Sequence, residues 1–89
     1  MSKYGIDPTP SEVMSAIVEK HKLLRKKQGL SQQELARRSG VSFGSIKRFE
    51  SIGQISFESL LKIAHVLNRL NDFESVFEVQ NDLEKVKQM

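Results

Sequence analysis

Cysteine is absent from the 89 residues, so neither a disulfide framework nor a thiolate metal site is available, and the chain suits a reducing compartment. Histidine is scarce: His21 and His65 stand far apart, and neither has a partner at ligand spacing, which argues against a metal site. Long apolar runs are missing as well. None approaches the length of a bilayer-spanning helix, and the opening MSKYGIDPTP has no apolar signal segment, so the expectation is a soluble, cytoplasmic protein with no membrane partner. The same shortages argue against an enzyme. There is no Cys nucleophile, neither histidine has an evident acid or serine arrangement, and no phosphate-cradling glycine loop occurs, so no cofactor is expected.

What is present is charge with a direction. The net charge of +3 is too mild to diagnose a nucleic-acid partner, but its distribution is uneven. Residues 1–50 hold ten basic and five acidic side chains, and residues 51–89 hold four basic and six acidic ones. The basic surface therefore belongs to the first half, with the run Arg25-Lys26-Lys27 open to reading as a solvated helix face or as part of a binding patch.

The element pattern is helical throughout. Thr9-Pro10-Ser11-Glu12 has the form of a capping box with proline at the first helical position, and Gln28-Gly29 supplies the stop. Between them Val13, Ile17 and Leu24, with Met14, Val18 and His21 beside them, recur at helical spacing and predict one buried face. Ser31-Gln32-Gln33-Glu34 reads as a second capping box opening a short helix to about Ser39. Gly40 permits a left-handed turn, and Ser42 is placed to cap a third helix with Ile46 and Phe49 inward. A Gly-containing turn of three to four residues between two helices is the helix-turn-helix arrangement. Ser56 opens a fourth helix built on Leu60, Leu61, Ile63, Ala64 and Leu67, and Asn71-Asp72-Phe73-Glu74 predicts a fifth. The expected fold is all-α: one compact five-helix domain over 1–89, its core at about 10–78 and residues 79–89 a C-terminal helical extension or tail.

The stretch from Leu30 to Glu50, LSQQELARRSGVSFGSIKRFE, together with Leu60-Leu61-Lys62-Ile63-Ala64, resembles the phage repressors, Cro proteins and XRE-type bacterial regulators over roughly residues 13–68. Ala36, Gly40, Ile46 and Phe49 supply the small contact, the turn and two core anchors at matching separations. The resemblance implies duplex DNA as partner, a third helix in the major groove, and regulation of transcription, most often repression. It places Ser42, Phe43, Gly44, Ser45, Lys47 and Arg48 at base edges. Arg48 suits bidentate recognition of guanine, while Lys47 suits a base or a phosphate. Phe43 and Gly44 depart from the family's long polar side chains: the ring can meet a thymine methyl, fold back, or meet a protein. Ser31 and Gln32 at the start of the second helix, with Lys26, Lys27, Arg37 and Arg38, are the phosphate candidates, a solvent-facing Gln32 being the plainer alternative. Arg25 and Glu50 match positions that pair structurally and orient the recognition helix.

Regulators of this kind commonly bind two half-sites as symmetric dimers. Phe73, Val76, Phe77, Leu83 and Val86 are the candidate homodimer surface, the alternative being that Phe73 and Phe77 close the monomer core while residues 80–89 form a tail. Two other readings stay open: an antitoxin that represses its own operon and binds a toxin protein, and an interaction module that has lost DNA binding.

Overall fold

A computed structural model describes residues 7–79, which form four α-helices and no strand: α1 (Pro10–Lys27), α2 (Gln32–Ser39), α3 (Phe43–Ile52) and α4 (Phe57–Val66), then a 3-10 turn over Leu70–Phe73. Each α-helix starts on a hydroxyl side chain that satisfies an otherwise orphaned N–H. Thr9 Oγ1 accepts the Glu12 N–H at 3.1 Å while Glu12 Oε1 accepts the Thr9 N–H at 2.9 Å, a complete capping box. Ser31, Ser42 and Ser56 accept the N–H three residues ahead at 3.0, 3.1 and 3.1 Å. The second expected box is only half built. Glu34 turns its carboxylate to the guanidiniums of Arg37 and Arg38, which lie one turn ahead and offer charged donors in place of the Ser31 N–H.

The turn between α2 and α3 depends on Gly40, whose φ of 77° lets its N–H return to Ala36 O at 3.0 Å. Leu30, Leu35, Val41, Ile46, Ile63 and Leu67 form the core, with Leu24, Ala36, Ile55 and Val66 packed against it. α2 touches both α3 and α4, so Leu35 sits at the centre of the packing and is fully buried. Burying such a side chain contributes roughly 1.5–3 kcal/mol. Gln28 Nε2 donates to Leu67 O at 2.9 Å, tying the end of α1 to the end of α4.

Two expectations need correction. The predicted buried face of α1 is real only in its second half: Val18, His21 and Arg25 are buried, while Val13, Met14 and Ile17 are 40, 43 and 39 % exposed. At about 1.5 Å per residue the 18-residue helix outruns the 10-residue α3 that packs on it, so its first turns are only partly covered, with Met14 lying against Gly53 at the end of α3. The fifth α-helix is not formed among the described residues. After Leu70–Phe73 the backbone bonds Val76 N–H to Phe73 O and Glu78 N–H to Ser75 O keep the i to i+3 pattern, and Phe77 takes φ 63°. A short segment containing Val76 and Val79, with both side chains exposed, has neither the propensity nor the packing surface that sustains a helix. No helix among the described residues is long and apolar enough to cross a membrane.

Candidate nucleic-acid interface

α3 buries Ile46, Phe49 and Glu50 and exposes Phe43, Gly44, Lys47, Arg48 and Ser51, two rows at i, i+4 spacing that make one outward stripe. At its start Ser42 Oγ is engaged twice, accepting the Ser45 N–H and donating to Ser45 Oγ at 2.7 Å. The hydroxyls of these two base-edge candidates are thus coupled to one another. Phe43 is 38 % exposed, and the Lys47 ammonium stands 5.1 Å from its ring centroid, within cation–π range. Nothing lies within 4 Å of where a Gly44 Cβ would be, so that position is open surface. Arg48 extends past the helix and donates from Nε at 2.9 Å and from Nη2 at 2.6 Å to Gln54 Oε1 in the following loop.

The inner side of α3 is fixed by a carboxylate. Glu50 accepts Arg25 Nε at 2.7 Å, Arg25 Nη2 at 2.9 Å, His21 Nε2 at 2.8 Å and Gln32 Nε2 at 2.9 Å. Arg25 also donates from Nη1 to Leu30 O at 2.8 Å, so one guanidinium joins α1, the loop before α2, and α3. Burial alone would raise the Glu50 carboxyl, but the hydrogen bonds from Arg25, Gln32 and His21 outweigh it and hold the pKa at about 2. An ionised carboxylate only accepts, so His21 must carry its hydrogen on Nε2; burial lowers the imidazole's pKa despite Glu50, and the ring rests edge-on against Phe49 with centroids 5.0 Å apart.

The other phosphate candidates fall into two sets. Arg37 and Arg38 share Glu34, whose pKa is pulled down to about 2 by Arg37 first and Arg38 second. Lys26 and Lys27 are exposed at the end of α1 and, like Lys47 and Arg48, make no ion pair among the described residues. Ser31 and Gln32 stand at the start of α2, with the Ser31 hydroxyl engaged as cap and the Gln32 amide turned to Glu50.

At the other end, Phe73 packs edge-on against Phe57, centroids 6.1 Å apart, while Val76, Phe77 and Val79 are 48, 99 and 61 % exposed. Leu83 and Val86 lie outside the described residues. Sequence reasoning reached Arg25, Glu50 and Gln32 but missed that Gln32 bonds to Glu50 and that His21 and Gln54 join the site. The signal for His21 was its place one turn before Arg25 on the buried stripe; for Gln54 the sequence offers no signal.

A family model described as helix-turn-helix matches residues 22–71, from the middle of α1 to the 3-10 turn. No curated protein and no solved structure matches the chain.

Proposed function

The chain belongs to the helix-turn-helix family and is a DNA-binding regulator, and we propose that it is a cytoplasmic repressor that reads duplex DNA as a homodimer, with α3 in the major groove. The observation that carries this reading is the division of α3 itself. Ile46, Phe49 and Glu50 anchor the helix, and the opposite stripe presents Lys47 and Arg48 without a carboxylate to neutralise them. In this reading Arg48 addresses guanine, Lys47 a base or a phosphate, and Gln32 with the N-terminus of α2, and Lys26 with Lys27, hold the backbone. Repression rests on the resemblance to phage repressors and Cro proteins. The homodimer is supported by the exposed apolar side chains of Val76, Phe77 and Val79.

The test is a salt-dependent titration of the purified protein against duplexes that include its own promoter region, with mass measured in parallel. Promoter-selective binding by a species of twice the monomer mass, weakening steeply with salt, is the expected result. Arg48→Ala should then cost roughly 1–3 kcal/mol at particular base pairs, whereas Gln32→Ala should weaken all duplexes alike. Absence of binding even at low salt would move the weight to the interaction-module alternative, in which the exposed Phe43 ring meets a protein.

A further inference from the structure

Arg48 is a long side chain on an exposed helix face, and such a chain normally loses rotamer freedom when it meets a ligand. Here it has an anchor. Gln54 Oε1 receives both Nε–H and one Nη2–H, at 2.9 and 2.6 Å. The anchor itself has a fixed mount. Gly53 before it takes φ 76° and returns its N–H to Phe49 O at 2.9 Å, while Ile55 after it is packed against the core.

A guanidinium has five N–H donors in a rigid plane. Gln54 occupies the edge formed by Nε and the near side of Nη2, which leaves the edge formed by Nη1 and the far side of Nη2 unused. That remaining edge carries two parallel N–H groups, the pattern that matches O6 and N7 of guanine. The acceptor is also a neutral amide. It fixes the guanidinium plane without cancelling the charge, as a carboxylate at residue 54 would.

We infer that Gln54 is a positioning residue for base readout: it presets Arg48 so that a single bidentate edge faces the major groove and selects guanine. This rests on the reading that Arg48 contacts a base. Gln54 is exposed, so variants at this position are expected to keep the fold.

The experiment is a selection from duplexes randomised across the binding site, run with the full chain as wild type, Arg48→Ala, Gln54→Ala and Gln54→Glu, with thermal unfolding as a check on folding. Arg48→Ala should abolish a guanine preference at one position of each half-site. Gln54→Ala should reduce that same preference by roughly fivefold or more, the lower range of what a bidentate pair contributes, and leave other positions and random-duplex affinity unchanged. Gln54→Glu, which keeps the acceptor, should restore the preference while lowering affinity for all duplexes. If Arg48→Ala removes the preference and Gln54→Ala does not, the inference is overturned and the reading of Arg48 stands. Equal weakening of every sequence by Gln54→Ala would make it a backbone contact and also overturn the inference. If Arg48→Ala changes no position, the reading of Arg48 fails, and the inference falls with it.

Discussion

Glu50→Ala isolates the part of the structure on which the angle of α3 depends. The carboxylate is buried and accepts four hydrogen bonds, two of them from Arg25, which is itself 7 % exposed. Its removal leaves the guanidinium with one acceptor, Leu30 O, and leaves His21 Nε2 and Gln32 Nε2 without theirs. Breaking a buried pair from one side costs about 3–5 kcal/mol, because the surviving charge stays desolvated and unpaired. Replacing both partners with apolar residues of similar size removes that penalty. The double variant Arg25→Met, Glu50→Leu should therefore be more stable than Glu50→Ala by about 2 kcal/mol or more. Urea unfolding followed by far-ultraviolet circular dichroism gives both values, provided the slopes agree between variants. A loss below about 1 kcal/mol for Glu50→Ala would show that the cluster is wet and replaceable. So would a double variant whose cost equals the sum of the losses of Arg25→Met and Glu50→Leu measured singly, since independent sites add.

Acidification should destabilise the fold in two stages, because both pKa values are depressed by folding: stability from neutral His21 is present above 6.5 and lost as pH falls through its lowered folded value, and that from Glu50 is present above 4.5 and lost as pH falls towards about 2. Urea midpoints measured from pH 7 to pH 3 check this, and a midpoint that rises on acidification would contradict it. Gly40→Ala should cost about 1–2 kcal/mol through backbone strain alone, since no atom lies within 4 Å of the added methyl; an unchanged midpoint would show that the turn relaxes. Phe77→Ser should leave monomer stability unaltered, as the ring is 99 % exposed, while shifting sedimentation from dimer to monomer; a dimer that persists would move the interface elsewhere.

Features encoded within a few residues were legible in the sequence. Thr9, Ser31, Ser42 and Ser56 cap the helices that their positions announced, and Gly40 takes the left-handed turn on which the motif depends. What the sequence did not carry is which elements are long enough to meet. Val13, Met14 and Ile17 keep helical period with Val18 and Leu24, yet period states only that these side chains share a face, not how fully another helix covers it. The fifth helix failed for a related reason. A capping pattern at Asn71 lowers the cost of starting a helix but supplies no surface for Val76 and Val79 to bury against.

The site shows the same boundary between local and tertiary information, and it bears on mechanism. Apolar packing of Ile46 and Phe49 holds α3 at a set distance from its neighbours, but dispersion and burial are not directional, so they leave the helix freer to rotate about its own axis. A rotation of one residue moves a side chain by about 100°, enough to turn Arg48 off the exposed stripe. Directional bonds at one end resist this: the fork of Arg25 on Glu50, with His21 and Gln32 closing the remaining sides, ties the C-terminal half of α3 to both α1 and α2. Glu50 is two residues from Arg48, so the buried carboxylate sets the azimuth from which the exposed guanidinium departs. A composition-level reading sees an acidic residue ending a basic helix; the geometry makes that residue the reference against which the basic face is aimed.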